Sequence, residues 1–487
     1  MRKSFSATIW TVFDRTWSQF VGFLIGIVLA RLLTPEDYGL VGISMIFIAF
    51  SNVFIEAGFS NALIRKLDRS QTDYSTAFYF NAVMGIIMYL ILYFAAPLIA
   101  NYFEDEILIP LTRIVGLTLV INSLCIVQNA ILTADLKMKE QAIINISAQI
   151  PSGLLAIYLA YRGMGVYALA VQTVLASFIR TCMFWIWAKW IPTWEFNKAS
   201  MKYLWGFGSK LIGANFIGTL FNEIYTILIG KYISKSDLGL YSKGRSLSNQ
   251  PESICNGVVQ KVAVPLLSKY QNDVVSLKAK YRELTQVVNC IMLFVSGILL
   301  VAASPIILLL WGQKWVGSVP IFQMLLIASI VSYVSYLSLV LLQVINQTGY
   351  TLKLELIKKP ICLLAILFSL RFGMYGLLGS LIFNSLFCSL INMSAASKYI
   401  NYSYPEQGRD VVKYLLSLIV AVFTSFCIAR LYETNYVVDI IVRATCMASV
   451  YVGMLWVMKD QVFLQYGSLA WKTVKSRIGN MEDNKDE

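Results

Sequence analysis

The chain has 487 residues, 57% hydrophobic and 14% charged, with no histidine and a formal net charge of +13. A soluble domain carries about 25% charged residues, so a soluble globular fold is excluded. The lack of histidine removes the usual proton shuttle and the commonest metal ligand. The basic residues lie between apolar runs, which fits membrane orientation and not nucleic-acid binding.

The apolar runs are roughly 18–27 residues long, each enough to cross a hydrocarbon core of about 30 Å as a helix. They predict an all-α polytopic membrane protein of about 14 transmembrane helices. The first, 7–30, follows the start MRK. It is too long for a signal-peptide core and lacks a small-residue cleavage site, so it is expected to stay as a span. The others are 39–64, 76–100, 107–133, 142–161, 164–188, 204–230, 246–267, 284–310, 318–345, 355–372, 374–397, 412–431 and 436–458. Only a short Gly-containing turn separates 355–372 from 374–397. Lys and Arg concentrate in alternate loops, among them Arg65, Lys66 and Arg69, then Lys189, Lys198 and Lys202, then Lys353, Lys358 and Lys359. That bias places both termini in the cytoplasm. The stretch 268–283, of mixed charge with Val and Leu at helical spacing, is expected to lie along the inner membrane surface. The polar tail 459–487 is expected to be partly disordered.

LARLLTPEDYGL at 29–40 recurs two hundred positions later in LIGKYISKSDLGL at 228–240. Arg31 aligns with Lys231 and Thr34 with Ser234, while Asp37, Gly39 and Leu40 recur as Asp237, Gly239 and Leu240. GVYAL at 165–169 is echoed by GMYGL at 373–377. These matches predict two parallel six-helix repeats plus two C-terminal helices. The expected divisions are a first lobe 1–190, a cytoplasmic linker 191–203, a second lobe 204–398, an added helix pair 399–458 and the tail. Parallel repeats are related by an axis along the membrane normal, with the substrate site between them near the midplane. Thr34-Pro35-Glu36 has the form of a helix start. Gly39 is read as permitting a tight turn. Arg31, Lys231, Asp37 and Asp237 are read as structural.

The block 18–66, SQFVGFLIGIVLARLLTPEDYGLVGISMIFIAFSNVFIEAGFSNALIRK, resembles the polysaccharide/lipopolysaccharide exporters, the Wzx-like flippase and colanic-acid exporter branch of the multidrug/oligosaccharidyl-lipid/polysaccharide (MOP) superfamily. VAVPLLSKYQ at 262–271 resembles the same branch. The likeness runs through the spans and is strongest in the first two. It implies the MOP-type transporter fold, with two six-helix lobes around a central cavity working by alternating access. It also implies a flippase, not an enzyme, that moves undecaprenyl-pyrophosphate-linked oligosaccharide repeat units across the bacterial inner membrane for surface polysaccharide biosynthesis. Fourteen-span relatives use the last two spans as a groove for the isoprenoid tail. The implied partners are the lipid-linked oligosaccharide, membrane lipids, a polysaccharide polymerase and chain-length machinery, with no nucleic acid. No cofactor is implied, and H⁺ or Na⁺ is the candidate coupling ion. The alternative is a multidrug or small-molecule cation antiporter of the same superfamily, which would prefer an acidic cavity. A membrane polymerase or glycosyltransferase would need larger outer loops.

A flippase must shelter a pyrophosphate and sugars from hydrocarbon. A charge at a helix centre costs about 2.5–3.5 kcal/mol even on the gentler insertion scale, so charged residues inside spans are functional candidates. Arg15, Lys210, Arg245 and Lys261 are expected to attract the pyrophosphate, with Arg180 a further candidate. Asp14, Glu56, Glu223 and Glu252 are expected to pair with them or to couple an ion. Lys243 is read as an alternative anchor at the outer end of the eighth span, and Arg113 as structural. Gly22 and Gly26 form a close-packing motif. Pro97, Pro251, Pro265 and Pro305 are expected kinks. Trp185, Trp187, Trp190 and Trp194 read as an interfacial belt. The eight cysteines, all in apolar runs, read as small buried hydrophobes.

Overall fold

The computed structural model describes residues 2–466 apart from 57, 67 and 431–434. The expected tail beyond 466 lies outside the described residues. Among the described residues each predicted span overlaps one or more helices. Among the described residues, nine helical stretches are long and apolar enough to cross a membrane, or eleven if two bent pairs each count as one span.

The chain divides into two compact units, Met1–Ser242 and Lys243–Glu487. The first contains α1 (Arg2–Leu32), α2 (Pro35–Glu56), α3 (Phe59–Arg65), α4 (Gln71–Phe103), α5 (Leu108–Ser123), α6 (Ile126–Ala134), α7 (Met138–Tyr161), α8 (Val166–Ala188), α9 (Lys198–Tyr232) and the start of α10 (Lys235–Val258). Here α1 packs along α7. A Cβ at Gly22 would stand 2.6 Å from Gln149 Nε2, so the missing side chain admits the α7 amide. That amide donates to the Ser18 carbonyl at 2.9 Å. Such small-residue seams replace the hydrophobic drive that lipid cannot supply between helices.

Both copies of the repeated motif open a helix with the same capping pair. Thr34 Oγ1 donates to Asp37 Oδ2 at 2.8 Å and accepts from Asp37 N at 3.3 Å. Ser234 Oγ donates to Asp237 Oδ2 at 2.6 Å and accepts from Asp237 N at 2.9 Å. This is a reciprocal capping box, which satisfies donors left over in the first turn. Gly39 corrects the expected tight turn: it lies inside α2, and its lack of a side chain serves a helix crossing. Lys231 pairs with Glu104 at 2.8 Å and Lys235 with Asp105 at 2.6 Å, so this corner is latched by ion pairs.

The second unit continues with a π-helical turn (Val259–Ala263), then α11 (Val264–Ser268), α12 (Val274–Val301), α13 (Ala303–Trp311), α14 (Ser318–Tyr333), α15 (Tyr336–Val344), α16 (Thr348–Ser369), α17 (Gly373–Ile400), α18 (Tyr404–Ala429) and α19 (Tyr436–Val457). The helical stretch 349–400 is 52 residues long. Run straight it would reach about 78 Å, well beyond one crossing. It is a hairpin instead. Lys358 meets Asn392 at 3.0 Å and Cys362 meets Cys388 at 3.7 Å. The chain reverses through Leu370–Phe372 and Gly373, whose φ of 65° suits a residue without a Cβ.

Prolines set several of the interruptions, because each lacks the N–H for the carbonyl four residues earlier. Pro265 follows the π turn and leaves the Lys261 carbonyl without that partner. Pro305 sits just past the α12–α13 break and does the same for Val301. Pro97 does so for Tyr93, and Arg113 Nε donates to the freed Tyr93 carbonyl at 3.4 Å while its guanidinium lies 4.1 Å from the Tyr93 ring centroid. The structural reading of Arg113 has this as its basis.

Two spans are broken without proline. α5 and α6 meet at 44°, and α14 and α15 at 41°. Cys125 N bonds Asn122 O, which frees the Ile121 carbonyl; Thr181 Oγ1 on α8 donates to it at 3.0 Å. Ser335 N bonds Ser332 O, which frees Val331; Ser389 Oγ on α17 donates to it at 2.9 Å.

Residues 274–283 correct the expected surface segment: they are the first turns of α12 itself. Arg282 pairs with Asp410 through Nε and, at 2.7 Å, through Nη2, and Lys278 with Glu406 at 3.0 Å, which ties this end of α12 to α18. Past α19, residues 461–466 form a further helical turn. Asp460, 3% exposed, receives Lys413 and caps that turn through Phe463 N at 2.7 Å. Tyr466 Oη donates to Glu283 at 2.6 Å, and this bond, with burial, pushes its phenol up to about 12. Two buried tyrosines of this unit find polar partners, as amphipathic rings do: Tyr281 with Ser338 and Tyr451 with the Cys290 carbonyl. The cysteine expectation needs one correction. Cys125, Cys255 and Cys362 are buried, but Cys182 and Cys427 are exposed.

Candidate functional site

The ionisable candidates divide between the units. In the first, Asp14 on α1 accepts from Ser18 Oγ at 3.1 Å and from Asn145 Nδ2 at 3.1 Å, extending the α1–α7 seam. Arg15 on α1 and Lys210 on α9 have side chains outside the described residues. Glu56 is exposed at the end of α2. Glu223 on α9 accepts from Thr226 Oγ1 at 3.0 Å. Arg180 on α8 is half-buried, and its Nε is enclosed with no hydrogen-bond partner among the described residues. An enclosed charge-bearing donor is expensive to leave unpaired, so Arg180 stands out more in three dimensions than in the sequence.

In the second unit, α10 brings Arg245 and Glu252 within electrostatic reach of each other. Lys243 lies over the Trp311 ring at 5.6 Å, an anchoring contact. Lys261 is exposed and stands in the π turn, the kind of helix defect that recurs at functional sites. α10 falls short of the membrane-span hydropathy because it carries Lys243, Arg245, Gln250 and Glu252. The charges that make it a candidate also hide it from an apolarity count.

Two concavities of the second unit escape a search keyed to charge. One is a cavity of about 320 Å³ at the α14–α15 break, lined by Asn256, Gln260, Tyr336, Gln343, Ser385 and Asn392, among others. None of its lining residues is Asp, Glu, Lys or Arg. The other is an apolar groove of about 450 Å³ along α12 and α19, with Ile291, Phe294, Tyr451, Val452 and Phe463 in its wall.

Residues 28–320 match the family described as "Polysaccharide biosynthesis protein". The chain belongs to this family. That agrees with the polysaccharide-exporter family that the 18–66 block resembles. Among curated relatives, the family chain is 26% identical over 286 residues to the teichuronic acid biosynthesis protein TuaB of Bacillus subtilis (strain 168). That match covers 58% of this chain and 59% of TuaB, so the chain spans less than two thirds of that relative. It is 22% identical over 334 residues to the lipopolysaccharide biosynthesis protein WzxC of Escherichia coli (strain K12), covering 67% of each. Among solved structures it is similar to the lipid II flippase MurJ in an inward closed conformation, with a TM-score of 0.70 and 17% identity over 93% of this chain and all of that one. At that identity the likeness fixes the fold: an all-α, multi-pass MOP-type fold.

Proposed function

We propose that this protein is a flippase that carries undecaprenyl-pyrophosphate-linked oligosaccharide repeat units across the bacterial inner membrane by alternating access. The observation that carries the reading, within the family membership, is the apolar groove on α12 and α19. It uses a helix from beyond the two expected repeats, and it offers an isoprenoid tail a place that polar cargo alone would not need. In this reading the chain has fourteen spans: repeats 1–190 and 204–398, the added pair 399–458, and both termini in the cytoplasm. The similar bends at α5–α6 and α14–α15, and the matched hydroxyls Thr181 and Ser389, support the duplication.

Arg15, Lys210, Arg245, Lys261 and Arg180 are the proposed pyrophosphate cations. Asp14, Glu56, Glu223 and Glu252 are the proposed pairing or ion-coupling acids, with H⁺ or Na⁺ as the coupled ion. A polymerase and chain-length machinery would take the product. The test is complementation of cells that lack their own exporter and are supplied with the matching sugar pathway. Restored surface polysaccharide and cleared lipid-linked repeat units are expected. Failure of both would sink the reading.

A further inference from the structure

The cavity at the α14–α15 break is built unlike a site for an anion. Its wall sets amides and hydroxyls among apolar side chains such as Leu339 and Val340: Asn256 and Gln260 from α10 and the π turn, Tyr336 and Gln343 from α15, Ser385 and Asn392 from α17. The nearest buried cation is already committed. Lys358, 4% exposed, pairs with Glu355 at 2.5 Å and donates to Asn392 Oδ1 at 3.0 Å. That bond turns the amide of Asn392 so that its N–H groups are left as donors. Tyr336 Oη is enclosed and has no hydrogen-bond partner among the described residues. Amide side chains offer a donor and an acceptor side by side, and a phenol offers both in one atom. This is the pattern that matches a ligand made of hydroxyls.

The backbone points the same way. Irregular backbone at membrane depth is tolerated where it lines a cavity or is buried in protein, and transporter substrate sites use such broken helices. Polar groups facing hydrocarbon would each cost several kcal/mol, so these amides and hydroxyls favour a space filled by water or a hydroxylated ligand over one filled by lipid. The volume, about 320 Å³, lies at the lower end of the range for small-molecule sites. At the matching place in the first unit α8 carries Arg180, where α17 carries Cys388, so that place is charged in the first unit and neutral here.

We propose that this cavity receives neutral sugar residues of the transported oligosaccharide through hydrogen bonds from Asn256, Gln260, Tyr336, Ser385 and Asn392. The inference rests on the flippase reading and divides its labour: sugars at the neutral cavity, pyrophosphate at the cations.

Cys388 lines the cavity and supplies the probe. Cells that make the full set of lipid-linked repeat units, and cells unable to add sugar to the lipid, are treated with N-ethylmaleimide. Peptide mass spectrometry then follows each cysteine. Exposed Cys182 and Cys427 serve as references. Cys388 modification is expected to slow severalfold when the repeat units are present, with the references unchanged. Equal rates in the two strains, in cells that export normally, would leave the cavity to water and overturn the proposal. If Cys388 resists modification in both strains, the double variant Asn256→Leu/Gln260→Leu decides. Export reduced severalfold at an unchanged membrane level supports the proposal, and unchanged export overturns it. If the unaltered protein neither exports nor clears repeat units, the flippase reading fails instead.

Discussion

Gly39 and Gly239 stand against each other where the first turns of α2 and α10 cross. A Cβ on Gly39 would collide with the Lys235 carbonyl and come within 3.3 Å of Gly239 N, and a Cβ on Gly239 would collide with the Pro35 carbonyl. Two equivalent positions of one repeated motif therefore form a single reciprocal contact.

That contact predicts a strong response to one methyl. Gly→Ala inside a helix gains up to about 1 kcal/mol of helix propensity. Overpacking costs about 1–3 kcal/mol, and more where the obstacle is backbone. Gly39→Ala and Gly239→Ala should therefore lower the melting temperature of the detergent-solubilised protein. Gly213→Ala, where nothing lies within 4 Å of the new Cβ, should hold or raise it. Equal melting of all three would contradict the crossing.

The capping pairs predict a smaller effect. Thr34→Ala or Ser234→Ala removes a helix cap and should cost about 1 kcal/mol each. Thr34→Ser should cost little. Thermal unfolding of the three variants separates capping from any effect on transport, and export should be retained at permissive temperature.

Arg113 and Pro97 predict non-additivity. Arg113 serves a carbonyl that Pro97 leaves unbonded. Arg113→Ala should destabilise by about 1 kcal/mol in the unaltered background. With Pro97→Ala present, the α4 bond can close and the same change should cost measurably less, a coupling that a double-mutant cycle reads directly. A strictly additive pair would remove the assignment.

Asp410 and Arg282 predict an asymmetry. Asp410 is 5% exposed, and Tyr402 Oη also donates to it at 2.6 Å, whereas Arg282 keeps water access. Arg282→Ala strands a buried carboxylate; Asp410→Ala leaves a guanidinium that water can reach. The first should cost about 2–3 kcal/mol, between the values for exposed and buried pairs, and the second less. The reverse order in unfolding measurements would count against the geometry.

Lys261 predicts a loss of transport without a loss of protein. Lys261→Gln should cut export severalfold at an unchanged membrane level, and Lys261→Arg should retain most of it. Normal export by the Gln variant would remove Lys261 from the pyrophosphate set.

Hydropathy placed every span on helix because a run of apolar side chains has one way to live in lipid. It could not place the breaks at 124–125 and 334–335. Both lie inside long apolar runs with no proline at the break, and a bend is decided by which carbonyl finds a donor. The clue was a pair of hydroxyls, Thr181 and Ser389, at matching places in the two copies. The π turn was nearer to hand, since Pro265 lacks the N–H that would meet the Lys261 carbonyl. The ionisable candidates were legible one by one, but their neighbours were not: Arg245 and Glu252 come within electrostatic reach of each other, and Asp14 meets Asn145 across the α1–α7 seam. The neutral cavity escaped because Asn, Gln, Ser and Tyr in a span are common enough to pass unremarked, and only their convergence on one space distinguishes them.

The two bends have a mechanical meaning. A broken helix is a natural place to look for a moving joint, but here each break is splinted. The carbonyl freed at Ile121 is pinned to α8 by Thr181, and that at Val331 to α17 by Ser389. Flexing either elbow means shearing a neighbouring helix along with it. Both pairs are therefore stiff struts that travel as one piece. Compliance belongs where a backbone donor is missing and no neighbour's hydroxyl bridges the gap among the described residues, and the turn of Lys261 ahead of Pro265 is such a place: a soft link with a cation mounted on it.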